Sequence, residues 1–139
     1  AKDLRRSIDY LATRSDVDTT RLAYYGFSWG GRVGGIMPAV EPRLKAVVLN
    51  VAGLDMESAR PEVDVINFLP RITVPVLMLN ARYDHVFPTE TAQKPFFRLL
   101  GTPAEDKRYV VYEGGHVLPR ADLIRESLNW LDKYLGPVR

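Results

Sequence analysis

The chain has 139 residues, a formal net charge of +2 and no cysteine. Its length is that of one domain, and 46% hydrophobic with 26% charged residues is an ordinary globular composition. The lack of cysteine excludes disulfides, thiolate metal sites and a cysteine nucleophile, and fits a cytoplasmic location. Basic residues are interspersed with acidic ones and no apolar run is long enough to span a bilayer, so neither a nucleic-acid partner nor a membrane is expected.

Helix-like and strand-like segments alternate along the chain. Helices are predicted at residues 3–13, 29–37, 89–100 and 121–135, and largely apolar strands at residues 21–27, 44–50, 74–80 and 107–113. Strands alternating with helices predict an α/β fold, in which a parallel sheet of about four strands carries helices on both faces. No linker or repeat divides residues 1–139, so we expect a single unit.

Several prolines and apolar stripes predict finer details. Pro38 is expected to end the second helix or to lie just beyond its end, Pro95 to kink or break the third, and Pro61 to begin a short helix. That short helix is expected to bury Val65, Ile66 and Leu69. The spacing in the last helix predicts that its buried side consists of Ile124, Leu128, Leu131 and Leu135.

The segment Gly26-Phe27-Ser28-Trp29-Gly30 lies between the first strand and the second helix. Gly-x-Ser-x-Gly at a strand-to-helix turn is the nucleophile-elbow pattern, which holds the serine in a strained conformation with its hydroxyl exposed. We expect the glycines on either side of Ser28 to let the strand and the helix approach without a Cβ clash.

Three chemically active side chains follow three of the predicted strands. Ser28 follows the first, Asp84 lies just after the third, and His116 just after the fourth. Because the carboxyl ends of parallel strands meet at one edge of the sheet, these residues are expected to lie together. A histidine can take the serine proton, a carboxylate can orient that histidine, and the Trp29 N–H can donate to the developing oxyanion.

Other assignments in the same loops remain open. Asp55 follows the second strand and is the rival for the acid role of Asp84. His85 is expected to be an exposed loop residue or to line the mouth of the pocket. The aromatic residues Phe27, Tyr83 and Phe87 are candidates for lining the substrate pocket, although a core position is an equal expectation for Phe27 and Phe87.

No cofactor or metal is predicted. Asp84, His85 and Glu90 do not have a recognisable metal-ligand spacing, and the glycines lack the phosphate-binding and dinucleotide-binding patterns.

Three motifs resemble the α/β-hydrolase superfamily: residues 26–31 (Gly-Phe-Ser-Trp-Gly-Gly), residues 80–88 around Asp84, and residues 113–116 (Glu-Gly-Gly-His). The chain is most similar to the dienelactone-hydrolase, acetyl-xylan-esterase and prolyl-oligopeptidase-like groups. The resemblance implies a serine hydrolase, with Ser28 as nucleophile, His116 as base, Asp84 as acid and a small ester or peptide as substrate.

The resemblance also implies that residues 1–139 are the C-terminal half of the domain, corresponding to strands 5–8 of the family sheet. The absent N-terminal half would supply the second oxyanion donor, so the isolated chain is expected to be inactive. Carboxylic ester hydrolysis is the first interpretation, and a prolyl-oligopeptidase-type peptidase is the first alternative. The elbow and residues 96–113 are also similar to hydrolase domains fused to bacterial protein kinases, which implies a second alternative, a non-catalytic module attached to a kinase domain.

Overall fold

Four parallel strands form the centre of the computed structural model, which describes residues 1–137 of the chain. The strands pair in chain order and are β1 (Leu22–Phe27), β2 (Leu44–Asn50), β3 (Val76–Ala81) and β4 (Lys107–Tyr112). The helices are α1 (Lys2–Leu11), α2 (Trp29–Val33), α3 (Met37–Val40), α4 (Lys94–Leu99) and α5 (Arg120–Leu135). The predicted α/β fold with a four-stranded parallel sheet is confirmed.

The sheet separates two apolar layers. β2 and β3 are buried on both faces, which is why their sequences are apolar almost throughout. On one face Leu49 and Met78 pack with Phe96 of α4, and on the other Leu77 packs with Trp130 of α5. The sheet is therefore held rigidly between two cores, and the loops at its carboxyl edge start from fixed points.

β1 lies at an edge of the sheet and is less buried than its apolar sequence predicts. Tyr25 and Phe27 are 50% and 46% exposed. Among residues 1–137, strand β2 is the only partner of β1, so one row of backbone groups of β1 has no neighbouring strand. None of the helices within these residues combines the length and the apolar character needed to cross a membrane.

The helix after Ser28 is shorter than predicted. α2 ends at Val33, three turn residues follow, and α3 then begins at Met37. Pro38 lies in the first turn of α3, so the prediction that it ends a helix is wrong. The reason is that proline fits the first helical turn, where its missing N–H has no partner to lose, and the glycine-rich segment before it favours the break.

The segment around Pro95 also differs from a kinked α-helix. A π-helix spans Thr89–Gln93, and α4 begins directly after it, so that Pro95 lies in the first turn of α4. The change of helix geometry therefore precedes the proline instead of occurring at it.

Two predicted apolar faces need correction. Ile124 and Leu128 are 46% and 55% exposed, whereas Ser127 and Trp130 are the buried residues of α5. Of the predicted stripe, Leu131 does pack against the core, together with Leu123 and Tyr134, which the prediction did not include.

The helix predicted from Pro61 is replaced by two 3₁₀ turns, Val65–Asn67 and Leu69–Arg71. Val65 and Leu69 are buried as expected, but Ile66 is 45% exposed because the tighter 3₁₀ turn rotates it towards solvent.

Candidate active site

Ser28 stands on a strained turn between β1 and α2. Its φ and ψ are 55° and −112°, a conformation that residues other than glycine rarely adopt. The turn is fixed from the side by β2, because the Ser28 N–H donates to the carbonyl oxygen of Asn50 at 2.9 Å. The elbow geometry predicted from the sequence is present.

The two outer glycines of the elbow have different environments. A Cβ on Gly26 would lie 2.3 Å from the carbonyl oxygen of Gly30, so Gly26 is required for the close approach of strand and helix. A Cβ on Gly30 would find its nearest neighbour, the Tyr24 hydroxyl, at 4.0 Å. The expectation that both glycines avoid a clash is therefore correct for Gly26 and wrong for Gly30, where a Cβ would make only an ordinary contact.

Ser28, His116 and Asp84 form a continuous chain of hydrogen bonds. The Ser28 Oγ lies 2.6 Å from His116 Nε2. On the other side of the ring, His116 Nδ1 lies 2.9 Å from each carboxylate oxygen of Asp84. Ser28 follows β1, Asp84 follows β3 and His116 follows β4, so the three residues predicted from the strand ends do meet at one edge of the sheet.

The environment of Asp84 fixes the orientation of the imidazole. The Asp84 side chain is fully buried, and its Oδ1 also accepts hydrogen bonds from the backbone N–H groups of Val86 and Phe87. An ionised carboxylate can only accept, so Nδ1 carries the proton that bonds to it. The lone pair of a neutral His116 ring is then on Nε2, which faces the Ser28 hydroxyl.

The rival acid is engaged elsewhere. Asp55 forms an ion pair with Arg32 of α2, whereas Asp84 bonds to His116. His85 is exposed, and its ring centroid is 6.3 Å from that of His116. Within residues 1–137, no cluster of three or more His, Cys, Asp or Glu side chains has a geometry suited to a metal ion.

The rings of Phe27 and Phe87 lie near the His116 ring, and two further aromatic residues in the same loops are exposed. Trp29 and Tyr83 are 69% and 68% exposed, and the Phe27 ring is 5.9 Å from the His116 ring. Phe87 is only 5% exposed and packs 6.0 Å from His116 on another side. Phe27 is therefore a half-exposed ring beside His116, Trp29 and Tyr83 are exposed neighbours of Ser28 and Asp84 in the sequence, and Phe87 belongs to the buried support of the imidazole.

Three polar residues that support the site were not found from the sequence. The Tyr24 hydroxyl donates to the Gly30 carbonyl at 2.7 Å, and burial raises the pKa of Tyr24. Gln93 is fully buried and accepts a hydrogen bond from Tyr109 at 2.6 Å. The one signal available was the aromatic pair Tyr24-Tyr25 in an otherwise apolar strand, since a buried tyrosine needs a partner for its hydroxyl.

A parallel sheet in this order, with a serine elbow after one strand, defines the α/β-hydrolase fold. The chain belongs to the PET hydrolase-like family, which matches residues 5–137.

Individual relatives agree with this membership. Cutinase est2 of Thermobifida alba is 28% identical in an alignment 145 residues long that covers 97% of this chain and 45% of the cutinase. A Klebsiella pneumoniae structure provisionally named a dienelactone hydrolase has a TM-score of 0.80 and 26% identity, covering 95% of this chain and 60% of that one. An acetyl xylan esterase from Paenibacillus sp. R4 shares the fold, with a TM-score of 0.79 at 21% identity, and covers 96% of this chain and 51% of the esterase.

The chain spans about half the length of the curated relatives it matches. The predicted resemblance to α/β-hydrolases, including the dienelactone-hydrolase group, is confirmed by the family match and these relatives, and the acetyl xylan esterase shares the fold. The kinase-fused resemblance receives no support from them and stays a prediction, as does the cytoplasmic location.

Proposed function

We propose that the protein hydrolyses carboxylic esters through an acyl-enzyme, with Ser28 as nucleophile, His116 as general base and acid, and Asp84 as the orienting acid. The observation that carries the proposal is the continuous hydrogen-bonded chain from the Ser28 hydroxyl through both ring nitrogens of His116 to Asp84. Such a chain starting from a strained serine has a direct chemical use, because a serine hydroxyl is a weak nucleophile until a base takes its proton.

In the acylation step, Ser28 Oγ attacks the ester carbonyl carbon while His116 Nε2 takes the hydroxyl proton. The electron pair of the carbonyl double bond moves to its oxygen, and the resulting oxyanion accepts a hydrogen bond from the Trp29 N–H at the start of α2. The imidazolium is stabilised by Asp84, which is 2.9 Å from Nδ1. It then gives its proton to the leaving alkoxide as the carbon–oxygen bond of the ester breaks.

Deacylation repeats these roles with water. His116 takes a proton from water, the hydroxide attacks the acyl carbon, and Ser28 Oγ leaves with the proton returned from Nε2. The ester and water are thus converted into an acid and an alcohol, and Ser28, His116 and Asp84 return to their starting protonation states.

The substrate class is supported by the exposed aromatic residues and by the relatives. Phe27 lies beside His116, and the exposed Trp29 and Tyr83 are next to Ser28 and Asp84 in the chain, so these rings offer contact area to an apolar ester rather than to a charged one. The names cutinase and acetyl xylan esterase refer to enzymes acting on esters, which favours ester over peptide hydrolysis. The prolyl-oligopeptidase-type and kinase-attached alternatives have no comparable support, and the intact hydrogen-bond chain argues against a non-catalytic module.

A fluorophosphonate probe tests the nucleophile in the full-length protein. We expect covalent labelling of the wild type, loss of the label in Ser28→Ala, and full labelling in the matched control Ser58→Ala, whose serine lies in an exposed loop. Labelling that persists in Ser28→Ala would place the nucleophile elsewhere.

We further propose that the described chain is part of a larger hydrolase domain in which another strand pairs with β1. The motivation is the open edge of β1 together with the length of the relatives. Residues 1–139 expressed alone should therefore be poorly soluble and nearly inactive on p-nitrophenyl acetate. A soluble, active monomer of this length would contradict the proposal.

A further inference from the structure

A buried polar pair lies beside the Asp84 loop without touching Ser28 or His116. Gln93, the last residue of the π-helix, is 0% exposed. Its Nε2 donates to the carbonyl oxygens of Ala81 at 2.8 Å and Phe87 at 2.7 Å, and its Oε1 accepts from the Tyr109 hydroxyl at 2.6 Å. A buried amide destabilises a fold unless its hydrogen bonds are made, and here three of them are.

The two carbonyls held by Gln93 lie at the ends of one short segment. Ala81 is the last residue of β3, and residues 82–87, which we call the acid loop, carry Asp84 and end at Phe87. Phe87 is bound twice, since its N–H donates to Asp84 and its carbonyl accepts from Gln93. Both ends of the acid loop are therefore tied to a single side chain in the core.

The acid loop contacts the imidazole of His116 in two ways. Asp84 bonds to Nδ1 of His116, and the ring of Phe87 packs 6.0 Å from the ring of His116. A small movement of the loop would change the acid–base distance and the support of the ring together. The contacts of Gln93 consequently reach the reacting groups in two steps, through residues that touch His116 directly.

The π-helix explains how Gln93 comes to point inwards. The N–H groups of Ala92 and Gln93 both donate to the Pro88 carbonyl, at 2.9 and 3.2 Å. The second bond spans five residues and inserts an extra residue into the turn, which rotates Gln93 towards the sheet. Single π turns of this kind are frequent at functional sites.

Tyr109 of β4 sets the orientation of the amide. Burial, followed by the charge of Glu90, raises the pKa of Tyr109 to about 12, so its hydroxyl remains a donor throughout the working range of an esterase assay. With Oε1 occupied by that donor, the two N–H bonds of Gln93 can only face the carbonyls of Ala81 and Phe87.

We propose that Gln93 and Tyr109 act as a positioning pair, the acid-loop clamp, which holds Asp84 against His116 and thereby sets the rate of the chemical step without contacting the ester. This inference rests on the proposed function of Ser28, His116 and Asp84.

The clamp is tested in the full-length protein with Gln93→Met, Tyr109→Phe and the double variant. Gln93→Met keeps the volume and removes all three hydrogen bonds, so kcat should fall by about 10- to 100-fold, as small misplacements of reacting groups do. KM for p-nitrophenyl acetate should change by less than about twofold, because ester binding is untouched. Tyr109→Phe should lower kcat less, and the double variant should be no slower than Gln93→Met, since both substitutions break one unit.

Thr102→Val is the matched control. Thr102 is also buried, and its hydroxyl donates to the carbonyls of Ile72 and Val74. These two residues precede the start of β3, whereas the acid loop follows its end. The control should lower the melting temperature through lost buried hydrogen bonds while leaving kcat unchanged. If Gln93→Met lowers the melting temperature like the control but leaves kcat unchanged, or if it raises KM instead, the clamp is refuted.

A spectroscopic readout keeps the clamp separate from the proposed function. The proton NMR signal of the His116 Nδ1–H, assigned by its loss in His116→Gln, should shift or broaden in Gln93→Met and stay unchanged in Thr102→Val. If the wild type shows no Ser28-dependent turnover, the proposed function fails, and this signal alone decides the clamp. An unchanged signal in Gln93→Met would overturn the clamp in either case.

Discussion

The elbow offers a sharp test because its two glycines are equivalent in the motif but not in the structure. In Gly26→Ala the new Cβ would lie 2.3 Å from the Gly30 carbonyl oxygen and 2.5 Å from its carbon, both backbone atoms of α2. Real Cβ atoms essentially never approach closer than 3.0 Å, so strand and helix must separate by at least 0.7 Å. In Gly30→Ala the nearest atom is 4.0 Å away and nothing has to move.

The two substitutions should therefore change stability in opposite directions. Overpacking costs typically about 1–3 kcal/mol, and the Gly26 contact belongs at the upper end because backbone cannot rotate away as a side chain can. With an unfolding entropy of about 2.1 cal/mol/K per residue and a domain about twice the length of this chain, the full-length Gly26→Ala protein would lose roughly 5 °C in melting temperature. Gly30→Ala should instead gain up to about 1 kcal/mol, or roughly 2 °C in the same domain, from improved helix propensity.

Thermal unfolding followed by circular dichroism measures both effects, and esterase activity provides a second readout for Gly26→Ala. Moving the start of α2 moves the Trp29 N–H relative to Ser28, so turnover should fall by about tenfold or more. Equal losses of melting temperature in the two variants, or a Gly26→Ala protein as stable as the wild type, would refute the assignment of the close approach to Gly26.

Two further predictions concern carboxylates. Asp84→Asn should lower kcat by about 10⁴-fold, because the amide no longer holds the required tautomer of His116, whereas Asp55→Asn should leave kcat within about twofold. Steady-state kinetics measures both variants, and a larger loss of kcat in Asp55→Asn than in Asp84→Asn would assign the acid role to Asp55. Glu41 is buried and paired with Arg43 through both carboxylate oxygens, which lowers its pKa from the ordinary 4.5. Because the folded pKa lies below the unfolded one, the stability that this pair contributes is fully present above pH 4.5 and is lost as the pH falls through the folded pKa. Glu41→Gln should therefore be less stable than the wild type near neutral pH and converge with it in acid, and a pH-independent gap in urea unfolding would contradict this.

The fold class and the meeting of Ser28, Asp84 and His116 follow from features that a sequence carries plainly. Apolar runs of strand length alternate with helices, and parallel strands bring their carboxyl ends to one edge whatever the loops between them do. The buried face of a helix was harder to predict than the fold class. α5 contains two apolar stripes with the same spacing, one through Ile124 and Leu128 and one through Leu123 and Trp130, and only the packing against the sheet chooses between them.

Gln93 could not have been found by the same reasoning. A glutamine in a helical segment ordinarily faces water, and an α-helical register gives no reason to place it in the core. Its partner Tyr109 is 16 residues away on strand β4, and Gln93 reaches it from the end of the π-helix. The division of the predicted helix after Ser28 into α2 and α3 was missed for a related reason. Glycines lower helix propensity along the whole segment, so the sequence does not indicate at which residue the helix ends.

The pairing of the four strands in chain order has a consequence for how the protein becomes active. Each strand joins the one before it, so the sheet can grow from β1 to β4 through contacts between neighbouring segments. Ser28 and His116 are nevertheless 88 residues apart, and His116 arrives only with the loop after β4. Labelling of Ser28 by an active-site probe would therefore begin only after the last strand has docked. The time course of labelling during refolding would measure the rate of that final step.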